Sequence, residues 1–483
     1  MMLWHFFVIV NGVIPLFSCC TSTAELITKL PGQPDGISFK QHSGYIATDS
    51  RLGHALFYYF VEADASDPLS YPLTLWLAGG PGCSSLGQGA FKEHGPFRPA
   101  RDGSLMKNEF SWNKASNMLY VESPISVGFS YSNTTVDYAD WKDADTAREN
   151  MQFLLGWFKE YPKYRDSDFY IAGESYAGHY VPPFAALVVD HNKHSHANPI
   201  KLRGIALGNP LLDIQISIDG ANFLWSHGVI SDETLKLKKT VCNDSRYWME
   251  RFQFHGKLSR ECAEVSAKQA EEMGNFTDPF DVLGPHCFLG TTAVRSAASS
   301  LWDAYHAKLA SRMGLVDPCL QDYIVLYLNN PRVQEALHAN RTKLPSVWDI
   351  CSSAFSLRDT GIGDNIIPVL SALIKEHLRV LLFSGDQDSR IPLTQTRTIA
   401  NLIARDLKFS SFGGYAPWYD RMQVGGWTQS FGRSRKGKNV TCLTFATVRG
   451  AAHEVPYSSP SQALTLFKAF LDGSSPPKVP FKN

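Results

Sequence analysis

Residues that could form a catalytic triad each follow an apolar, strand-like run in this chain of 483 residues. Ser175 lies in Ile-Ala-Gly-Glu-Ser-Tyr-Ala-Gly, Asp386 and Asp388 in Gly-Asp-Gln-Asp, and His453 in Gly-Ala-Ala-His. A serine hydroxyl needs a neighbouring base to attack a carbonyl, and a carboxylate orients the histidine that serves as this base. The order serine, aspartate, histidine is typical of a hydrolase triad built at strand ends. A lone histidine in a loop is more often packed or solvated, so the prediction depends on the three sites together.

The segment around Ser175 has the pattern of a sharp strand-to-helix turn. An apolar run at 169–172 ends at a glycine, and small residues follow Ser175. Such a turn lifts the hydroxyl out of the sheet and leaves the next backbone N–H facing the same space. The match to Gly-x-Ser-x-Gly is incomplete, because Ala177 fills the fifth place and Gly178 follows.

Several motifs together resemble the serine carboxypeptidases, and most of all the plant serine carboxypeptidase-like proteins, from about residue 30 to about residue 471. The matching stretches are 76–85 (Trp-Leu-Ala-Gly-Gly-Pro-Gly-Cys-Ser-Ser), 122–124 (Glu-Ser-Pro), 127–131 (Val-Gly-Phe-Ser-Tyr), 173–178 (Gly-Glu-Ser-Tyr-Ala-Gly), 385–388 (Gly-Asp-Gln-Asp) and 452–454 (Ala-His-Glu). The resemblance implies an α/β-hydrolase fold, with a mixed, mostly parallel sheet flanked by helices and a helical, disulfide-stapled cap insertion.

The resemblance also implies roles for the triad. Ser175 would be the nucleophile, His453 the general base and then acid, and Asp388 the orienting carboxylate. The residues alone do not separate Asp386 from Asp388, so that choice depends on the resemblance. The backbone N–H groups of Gly80 and Tyr176 would form the oxyanion hole, and the glycine-rich loop suits such a close approach. An ordinary turn is the alternative interpretation of residues 79–82.

Glu93 and Glu174 match the pair of carboxyl groups that holds a peptide's C-terminal carboxylate in that family. Two acids can bind an anion if they carry a proton, since like charges at close range raise one pKa. The resemblance therefore implies activity that is best in acid. A solvated surface charge is the alternative for each glutamate.

Two positions depart from the family's usual pattern. Ala78 stands where the family usually has an asparagine that also binds the substrate carboxylate, and losing a hydrogen bond to a charged group costs about 1.5–3 kcal/mol. Ile125 and Ser126 stand where the family usually has Ala-Gly, and we expect them to reshape the nearby pocket.

Three functions are considered. The first is a serine carboxypeptidase that acts on peptide or protein C-termini through an acyl-enzyme on Ser175. The second is an acyltransferase, whose family members usually have Asp in place of Glu174 and Thr in place of Ala78. The third is a catalytically silent glycoprotein, which would need no intact triad. The sequence favours the first.

Composition excludes several other classes of function. Lys plus Arg and Asp plus Glu both number 46, so the formal net charge is zero, which gives no electrostatic case for nucleic acid or an anionic membrane. No Cys/His cluster has zinc-like spacing, and we predict neither a metal nor another cofactor. The oligomeric state stays open, with a homodimer as one option.

The first 24 residues are interpreted as a secretory signal peptide, because 6–17 is mostly apolar and small residues follow. An uncleaved anchor is the alternative, but the run is shorter than the roughly 18–20 residues of a membrane span. Sequons point the same way, to an extracellular or vacuolar location. Their asparagines are Asn133, Asn243, Asn275, Asn340 and Asn439.

Seven cysteines follow the signal segment, and six of them could form three disulfides in an oxidising compartment. The resemblance implies Cys83 with Cys351, Cys242 with Cys262, and Cys287 with Cys319. Cys442 is then left over, and we expect a buried thiol rather than a reactive one.

Apolar runs predict strands before and after a region of different character. The predicted strands are 56–61, 73–77, 119–121, 169–172, 205–207, 380–383 and 443–448, and the predicted helices are 146–159, 331–338 and 459–471. Residues 213–320 have little strand pattern and four cysteines, and we interpret them as a cap between two parts of the core, 25–212 and 321–473. We expect an exposed loop at 290–300 and a frayed tail at 474–483.

Overall fold

One sheet of eleven strands forms the centre of the molecule. The computed structural model describes residues 24–134, 141–195, 198–253, 257–287, 317–340, 347–352, 361–435 and 438–482. The sheet contains β1 (Glu25–Ile27), β2 (Gln41–Asp49), β3 (His54–Val61), β4 (Leu73–Leu77), β7 (Asn117–Val121), β8 (Phe169–Glu174), β9 (Leu202–Gly208), β10 (Arg379–Gly385), β11 (Ser410–Asp420), β12 (Gln423–Arg435) and β13 (Lys438–Val448). The strands β5 (Phe97–Pro99) and β6 (Leu105–Lys107) form a separate hairpin.

The strand order in the large sheet is β1-β2-β3-β7-β4-β8-β9-β10-β13-β12-β11. The six strands from β7 to β13 in that order pair in parallel, and antiparallel strands flank them on both sides. Because the carboxyl ends of parallel strands share one edge, the turns after β8, β9, β10 and β13 meet there.

Helices cover both faces of the sheet. They are α1 (Asp143–Glu160), α2 (Ala177–His194), α3 (Ile214–Ser217), α4 (Ala221–Ser226), α5 (Asp232–Thr240), α6 (Asp244–Gln253), α7 (Arg260–Met273), α8 (Leu320–Leu328), α9 (Pro331–Ala336), α10 (Ile367–Lys375), α11 (Leu393–Asp406), α12 (Val455–Ser458) and α13 (Pro460–Leu471). A π-helix (Ser85–Glu93) and short 3₁₀ turns (Pro68–Ser70, Trp112–Lys114, Pro162–Tyr164) complete the described elements.

Strand β3 shows why the sheet has a core on each face. Its alternate residues Leu56, Tyr58 and Phe60 belong to the cluster that packs under α1 and α2. The residues between them, Phe57 and Tyr59, belong to the cluster on the opposite face. Side chains of a strand point alternately to the two faces, so a strand covered on both sides is apolar throughout.

Every predicted strand and helix is present, and the observed bounds extend several of them. The first predicted helix begins three residues earlier, at Asp143, and the predicted helix at 331–338 ends at Ala336. Asn330 caps the latter, since its side chain accepts a hydrogen bond from the N–H of Arg332. Strands β11 and β12 have no counterpart in the sequence prediction.

The segment between β9 and β10 begins with five consecutive helices, α3 to α7, which is the helical character expected of residues 213–320. How far this segment acts as a cap stays a prediction, and the loop expected at 290–300 lies outside the described residues. The tail at 474–483 was expected to fray, but the N–H of Tyr419 donates to the carbonyl of Pro477 and that of Phe481 to Arg421. The tail therefore pairs with the last part of β11, at an edge that would otherwise present unpaired backbone groups there.

Candidate active site

Ser175 lies on the sharp turn between β8 and α2. Its φ is +59°, a left-handed conformation that costs energy for a non-glycine residue and is common at functional sites. Two backbone hydrogen bonds hold the turn: the N–H of Ser175 donates to Gly208, at 2.9 Å, and its carbonyl accepts from Leu211, at 2.9 Å. The nucleophile candidate is therefore attached to the end of the neighbouring strand β9.

The incomplete serine motif has a packing explanation. A Cβ added at Gly173 would lie 2.7 Å from the Cβ of Ala177, so strand and helix pack closely at this pair. A Cβ at Gly178 would collide with the backbone of Leu211. The second glycine is needed one place later than in the usual motif, where α2 passes the loop after β9.

Asp388 and His453 lie side by side after β10 and β13. His453 Nδ1 is 2.6 Å from Asp388 Oδ2, and both side chains are buried. The other oxygen, Oδ1, accepts from the backbone N–H groups of Arg390, at 2.7 Å, and Ile391, at 3.3 Å. Since the carboxylate engages Nδ1, the imidazole presents Nε2 as its proton-transfer atom.

The structure shows different contacts for Asp386 and Asp388, the two aspartates that the sequence alone does not distinguish. Asp386 Oδ1 accepts the backbone N–H of Gly450 at 2.7 Å and the amide of Gln387 at 3.0 Å. Its carboxyl thus holds the turn after β13, whereas that of Asp388 contacts the histidine.

Asn209 is a site residue that sequence reasoning missed. Its Nδ2 donates to Asp388 Oδ2 at 2.8 Å, and its Oδ1 accepts the N–H of Gly385 at 3.0 Å. Asn209 is fully buried, with φ +38°. The only signal in the sequence was a polar amide directly after a strand, in Gly-Asn-Pro, and its contacts depend on β9 lying between β8 and β10.

The charge on His453 depends on its neighbours. Burial is the largest single effect and disfavours the imidazolium, but the charge and hydrogen bond of Asp388, together with other nearby carboxylates, outweigh it and raise the pKa of His453 to about 9. The charges of Glu174 and Glu454 add to this rise. Glu174 directly precedes Ser175, so this interaction also shows that the histidine lies near the serine turn. Protonation of Glu174 would lower the pKa of His453 again.

The glycine-rich loop after β4 packs directly on the serine turn. A Cβ added at Gly79 would lie 2.6 Å from the backbone nitrogen of Tyr176 and 2.8 Å from the Cβ of Ser175. Gly80 has φ +107°, which favours glycine. The loop is more than an ordinary turn, because it lies against the predicted nucleophile, and it brings the backbone at Gly80 and Tyr176 to one place.

Glu93 and Glu174 form a buried pair rather than two solvated charges. They are 1% and 3% exposed, and each carboxyl group affects the pKa of the other. Among the described residues, no N–H or hydroxyl group donates to the Glu93 carboxyl. Burial raises the pKa of both groups well above the usual value, and the charge of Glu454 raises them further.

Two cations accompany this pair. Lys92 Nζ lies 2.6 Å from Glu454 Oε2 and is itself buried, and Arg98 donates to the backbone carbonyl of Glu93 at 2.8 Å. Both lower the pKa of Glu93 by their charge, against the larger effect of burial. A cavity of about 240 Å³ adjoins this group, with Lys92, Phe280, His453 and Glu454 in its wall. The cavity therefore reaches His453 of the predicted triad.

The two departures from the family pattern have different consequences. The Ala78 side chain is an inert methyl group, and its backbone N–H donates to Ser85 Oγ at 3.0 Å. Ile125 is buried in the core, so it does not reshape the pocket, contrary to expectation. Ser126 has φ +75°, where a glycine would be unstrained.

Three disulfides are present: Cys83–Cys351, Cys242–Cys262 and Cys287–Cys319. These are the pairs that the resemblance implies. The first fastens the loop after β4, next to Gly80, to a segment 268 residues later. Cys442 is half-buried rather than buried, and partial burial raises the pKa of its thiol.

Four of the sequon asparagines are exposed, Asn133, Asn243, Asn275 and Asn439. Asn340 is half-buried, and its amide donates to Gln334 Oε1 at 2.9 Å. Within the described ranges, no helix is both long and apolar enough to span a bilayer. In the same ranges, no three His, Cys, Asp or Glu side chains group as metal ligands would.

Comparisons with known proteins agree with the motifs and the fold. The model of the family described as serine carboxypeptidase matches residues 31–473. Serine carboxypeptidase-like 45 of Arabidopsis thaliana is 43% identical over 475 residues, which cover 98% of this chain and 97% of that protein. Serine carboxypeptidase-like 44 of the same plant is 44% identical over 465 residues, covering 95% and 91%.

Among solved structures, the chain is similar to Kex1Δp, a prohormone-processing carboxypeptidase from Saccharomyces cerevisiae. The TM-score is 0.68 at 21% identity, covering 92% of this chain and 93% of the other. This likeness confirms the predicted fold class, an α/β-hydrolase fold with a mixed sheet and flanking helices. On the family match, the plant relatives and the shared motifs, the chain belongs to the serine carboxypeptidase family.

Proposed function

We propose that the protein is a serine carboxypeptidase that removes C-terminal residues from peptides and proteins, and that works best in acid. The observation that carries the proposal is the buried carboxyl pair Glu93–Glu174, of which Glu174 directly precedes Ser175. A triad alone would serve any acyl transfer, but a buried carboxyl pair that holds a proton is suited to a substrate carboxylate. Glu174, rather than the Asp usual in acyltransferases of the family, favours the peptidase.

Binding precedes chemistry in this proposal. The protonated pair donates a hydrogen bond to the C-terminal carboxylate of the peptide, while Lys92 and Arg98 offset the negative charge nearby. This contact sets the last peptide bond over Ser175. Because the donor is an acid, recognition is lost when the pair ionises, since two carboxylates would then face a third.

Acylation and deacylation use the triad in the same way. Ser175 Oγ attacks the carbonyl carbon while its proton passes to His453 Nε2, and the carbonyl becomes an oxyanion held by the N–H groups of Gly80 and Tyr176. His453 gives the proton to the leaving amine, the C–N bond breaks, and an ester remains on Ser175. Water then attacks the ester, its proton passes through His453 to the serine oxygen, and the shortened peptide leaves.

The acidic preference also concerns the base. At low pH His453 would be charged if its pKa stayed near 9. Protonation of Glu174 removes one of the charges that raise this pKa, so the histidine releases its proton more readily in acid. The same proton therefore prepares the carboxylate site and the base.

We also propose that the protein enters the secretory pathway and is extracellular or vacuolar. Support comes from three disulfides, which persist in oxidising compartments, and from exposed sequon asparagines. A tagged protein expressed in plant cells should enter the secretory pathway and gain mobility in gels after glycosidase treatment. Cytosolic protein without glycans would contradict the location but leave the enzyme proposal standing.

The decisive experiment uses peptides with free and amidated C-termini at pH 5 and pH 7.5, with products read by mass. We expect loss of single C-terminal residues from the free acids, fastest at pH 5, and much slower cleavage of the amides at that pH. Ser175→Ala should abolish both cleavage and labelling by an organophosphonate. Equal cleavage of acid and amide at both pH values, or transfer of an acyl group to an alcohol without peptide trimming, would overturn the proposal.

A further inference from the structure

Two tyrosine side chains lie beneath the backbone that would form the oxyanion hole. Tyr176 is the residue after Ser175, and Tyr180 follows one helical turn later on α2. Both side chains are buried, 2% and 1% exposed, and their rings meet edge to face with centroids 5.3 Å apart. Neither hydroxyl has a role in the chemistry proposed above. Burying a hydroxyl is unfavourable unless it is hydrogen-bonded, so their partners should reveal what the rings are for.

The hydroxyl of Tyr176 donates to Asp143 Oδ2 at 2.9 Å. Asp143 is the first residue of α1 and is 8% exposed. His179 stacks on the Tyr176 ring, with centroids 4.9 Å apart and planes 19° from parallel, and its Nδ1 lies 3.3 Å from the same Asp143 oxygen. The tyrosine ring is thus held at its tip and along its face, and its backbone N–H can move little.

The hydroxyl of Tyr180 contacts the other half of the hole. Burial raises the pKa of this hydroxyl, and the nearby backbone N–H of Gly82, in the glycine-rich loop, opposes the rise. The Gly82 carbonyl accepts from the N–H of Ser352 at 2.8 Å, and the N–H of Cys83 donates to Gly79 at 3.1 Å. The loop that carries Gly80 therefore lies close to the Tyr180 hydroxyl.

Asp143 lies at the N-terminal end of α1. It lies in the first turn of an eighteen-residue helix, where the N–H groups and the helix dipole favour a negative charge. Its carboxylate meets the tip of Tyr176, not the backbone that would bind the oxyanion.

We propose that Asp143, the Tyr176 side chain and the Tyr180 hydroxyl are positioning residues that set the two oxyanion-hole N–H groups before the substrate arrives. The inference rests on the proposed function and extends it to residues outside the triad. Donors that are already aimed at the developing charge need no reorganisation during the reaction. A displacement of about 1 Å in such a site is enough to cost about 10²-fold in rate.

A purely structural role of this network is the competing explanation. It would lower stability without a selective effect on the transition state. A suitable control is Tyr164, a fully buried tyrosine of the same core whose hydroxyl donates to Glu62 Oε1 at 2.8 Å. Tyr164→Phe removes the same kind of hydrogen bond from the 3₁₀ turn that precedes β8, whereas Tyr176 follows the other end of that strand.

The experiment compares Tyr176→Phe, Tyr180→Phe and Asp143→Ala with Tyr164→Phe in the full-length protein. We expect kcat for a peptide substrate to fall about tenfold in the first three with KM nearly unchanged, the signature of an interaction made only in the transition state. Affinity for a peptide aldehyde should fall by a similar factor, since its carbonyl carbon bonds to Ser175 Oγ, the serine proton passes to His453, and the oxygen becomes an oxyanion. Affinity for the matching peptide alcohol, which forms no adduct, should stay constant.

Asp143→Asn retains an acceptor for the Tyr176 hydroxyl and should recover most of the activity lost in Asp143→Ala. The proposal is overturned if the three variants keep wild-type kcat. It is equally overturned if they lose aldehyde and alcohol affinity alike, or if Tyr164→Phe shows the same fall in kcat. Ester hydrolysis is measured as an independent control. If the wild type cleaves esters but not peptides, the proposed function is wrong, but the variants still test the positioning network with the ester substrate.

Discussion

Two buried carboxyl regions at the active edge of the sheet differ in almost every contact. Asp388 is fully buried and receives hydrogen bonds from His453, Asn209 and two backbone N–H groups. Glu93 and Glu174 are nearly as buried, but no N–H or hydroxyl group of the described residues donates to the Glu93 carboxyl. Each of the two carboxyl groups instead affects the pKa of the other. Donors stabilise a carboxylate, whereas burial without donors favours the neutral acid. At equal burial, the two sites are therefore in different hydrogen-bonding states.

The proposed reaction needs both states at once. A negative Asp388 orients the imidazole and supports its charged form, and a protonated Glu pair can bind a substrate carboxylate. The two sites differ in their backbone donors. The turn after β10 supplies N–H groups to the Asp388 carboxylate, whereas the π-helix that carries Glu93 supplies none to the Glu93 carboxyl.

The largest expected effect comes from replacing Asp388 by Asn. An amide at this position would set an NH₂ group against donors that now point at a carboxylate, and the imidazole would lose its orienting charge. We expect kcat to fall by about 10⁴-fold. The matched control is Asp386→Asn, two residues away, whose carboxyl contacts Gly450 instead of the histidine. Rate measurements that show equal losses in both variants would refute the assignment of Asp388.

A third buried carboxyl group, that of Glu122, tests how burial and hydrogen-bond donors together determine the pKa. It accepts from Ser84, the backbone of Phe129 and the Trp348 indole, yet burial outweighs these donors and raises its pKa from 4.5 to about 7. The folded state therefore holds this proton over a range in which the unfolded state has lost it. The stability contributed by Glu122 is full below about pH 4.5 and is lost as the pH rises through 7.

At about 1.4 kcal/mol per pKa unit, the loss for Glu122 amounts to about 3 kcal/mol. Denaturant unfolding at pH 5 and pH 8 should show this difference in the wild type, and Glu122→Gln should remove most of it. Identical differences in both proteins would mean that the donors, not burial, determine the charge of Glu122.

Glu93→Gln should make substrate binding independent of pH. The amide donates a hydrogen bond whether or not the solution is acidic, whereas the wild-type pair loses its proton as the pH rises. We expect similar KM values for a free-acid peptide at pH 5, and a KM about tenfold lower in the variant at pH 7.5, within the range for a hydrogen bond to a charged group. An amidated peptide serves as the control, and a KM that still rises with pH in the variant would exclude the pair as the titrating group.

The smallest effect is expected from Asn209→Ala, which removes one of several donors to Asp388. A typical hydrogen bond contributes about 1 kcal/mol, so kcat should fall about fivefold. A shift in the pH dependence of kcat would sharpen the comparison. It would show that an Asp388 carboxylate with one donor fewer stabilises the His453 imidazolium less. An unchanged rate and pH profile would show that the remaining donors suffice.

The strands that precede Ser175, Asp388 and His453 could be predicted from the sequence because each depends on local signals. An apolar β-run that ends in glycine marks the strand ends at Gly173, Gly385 and the turn before His453. Asn209 could not be predicted in the same way, since its contact with Asp388 requires the lateral order of β8, β9 and β10. The burial of Lys92 could not be predicted either, because only the packing shows which lysine lies buried against a glutamate.

Strands β11 and β12 show where the apolar pattern fails. They are rich in glycine and polar residues, and Tyr415 and Trp427 are exposed. Their pairing with β13 and with the tail stabilises them, and such long-range hydrogen bonds leave little trace in composition. The signal segment, the glycans and the cap boundaries at 213 and 320 stay predictions.

The order of the triad along the chain has a consequence for biosynthesis. A ribosome releases Ser175 long before Asp388 and His453, and the link from Cys83 to Cys351 closes late as well. A nascent or prematurely terminated polypeptide thus exposes a serine without its base or its finished anion hole. In the proposed mechanism, hydrolysis therefore requires nearly complete synthesis of the chain.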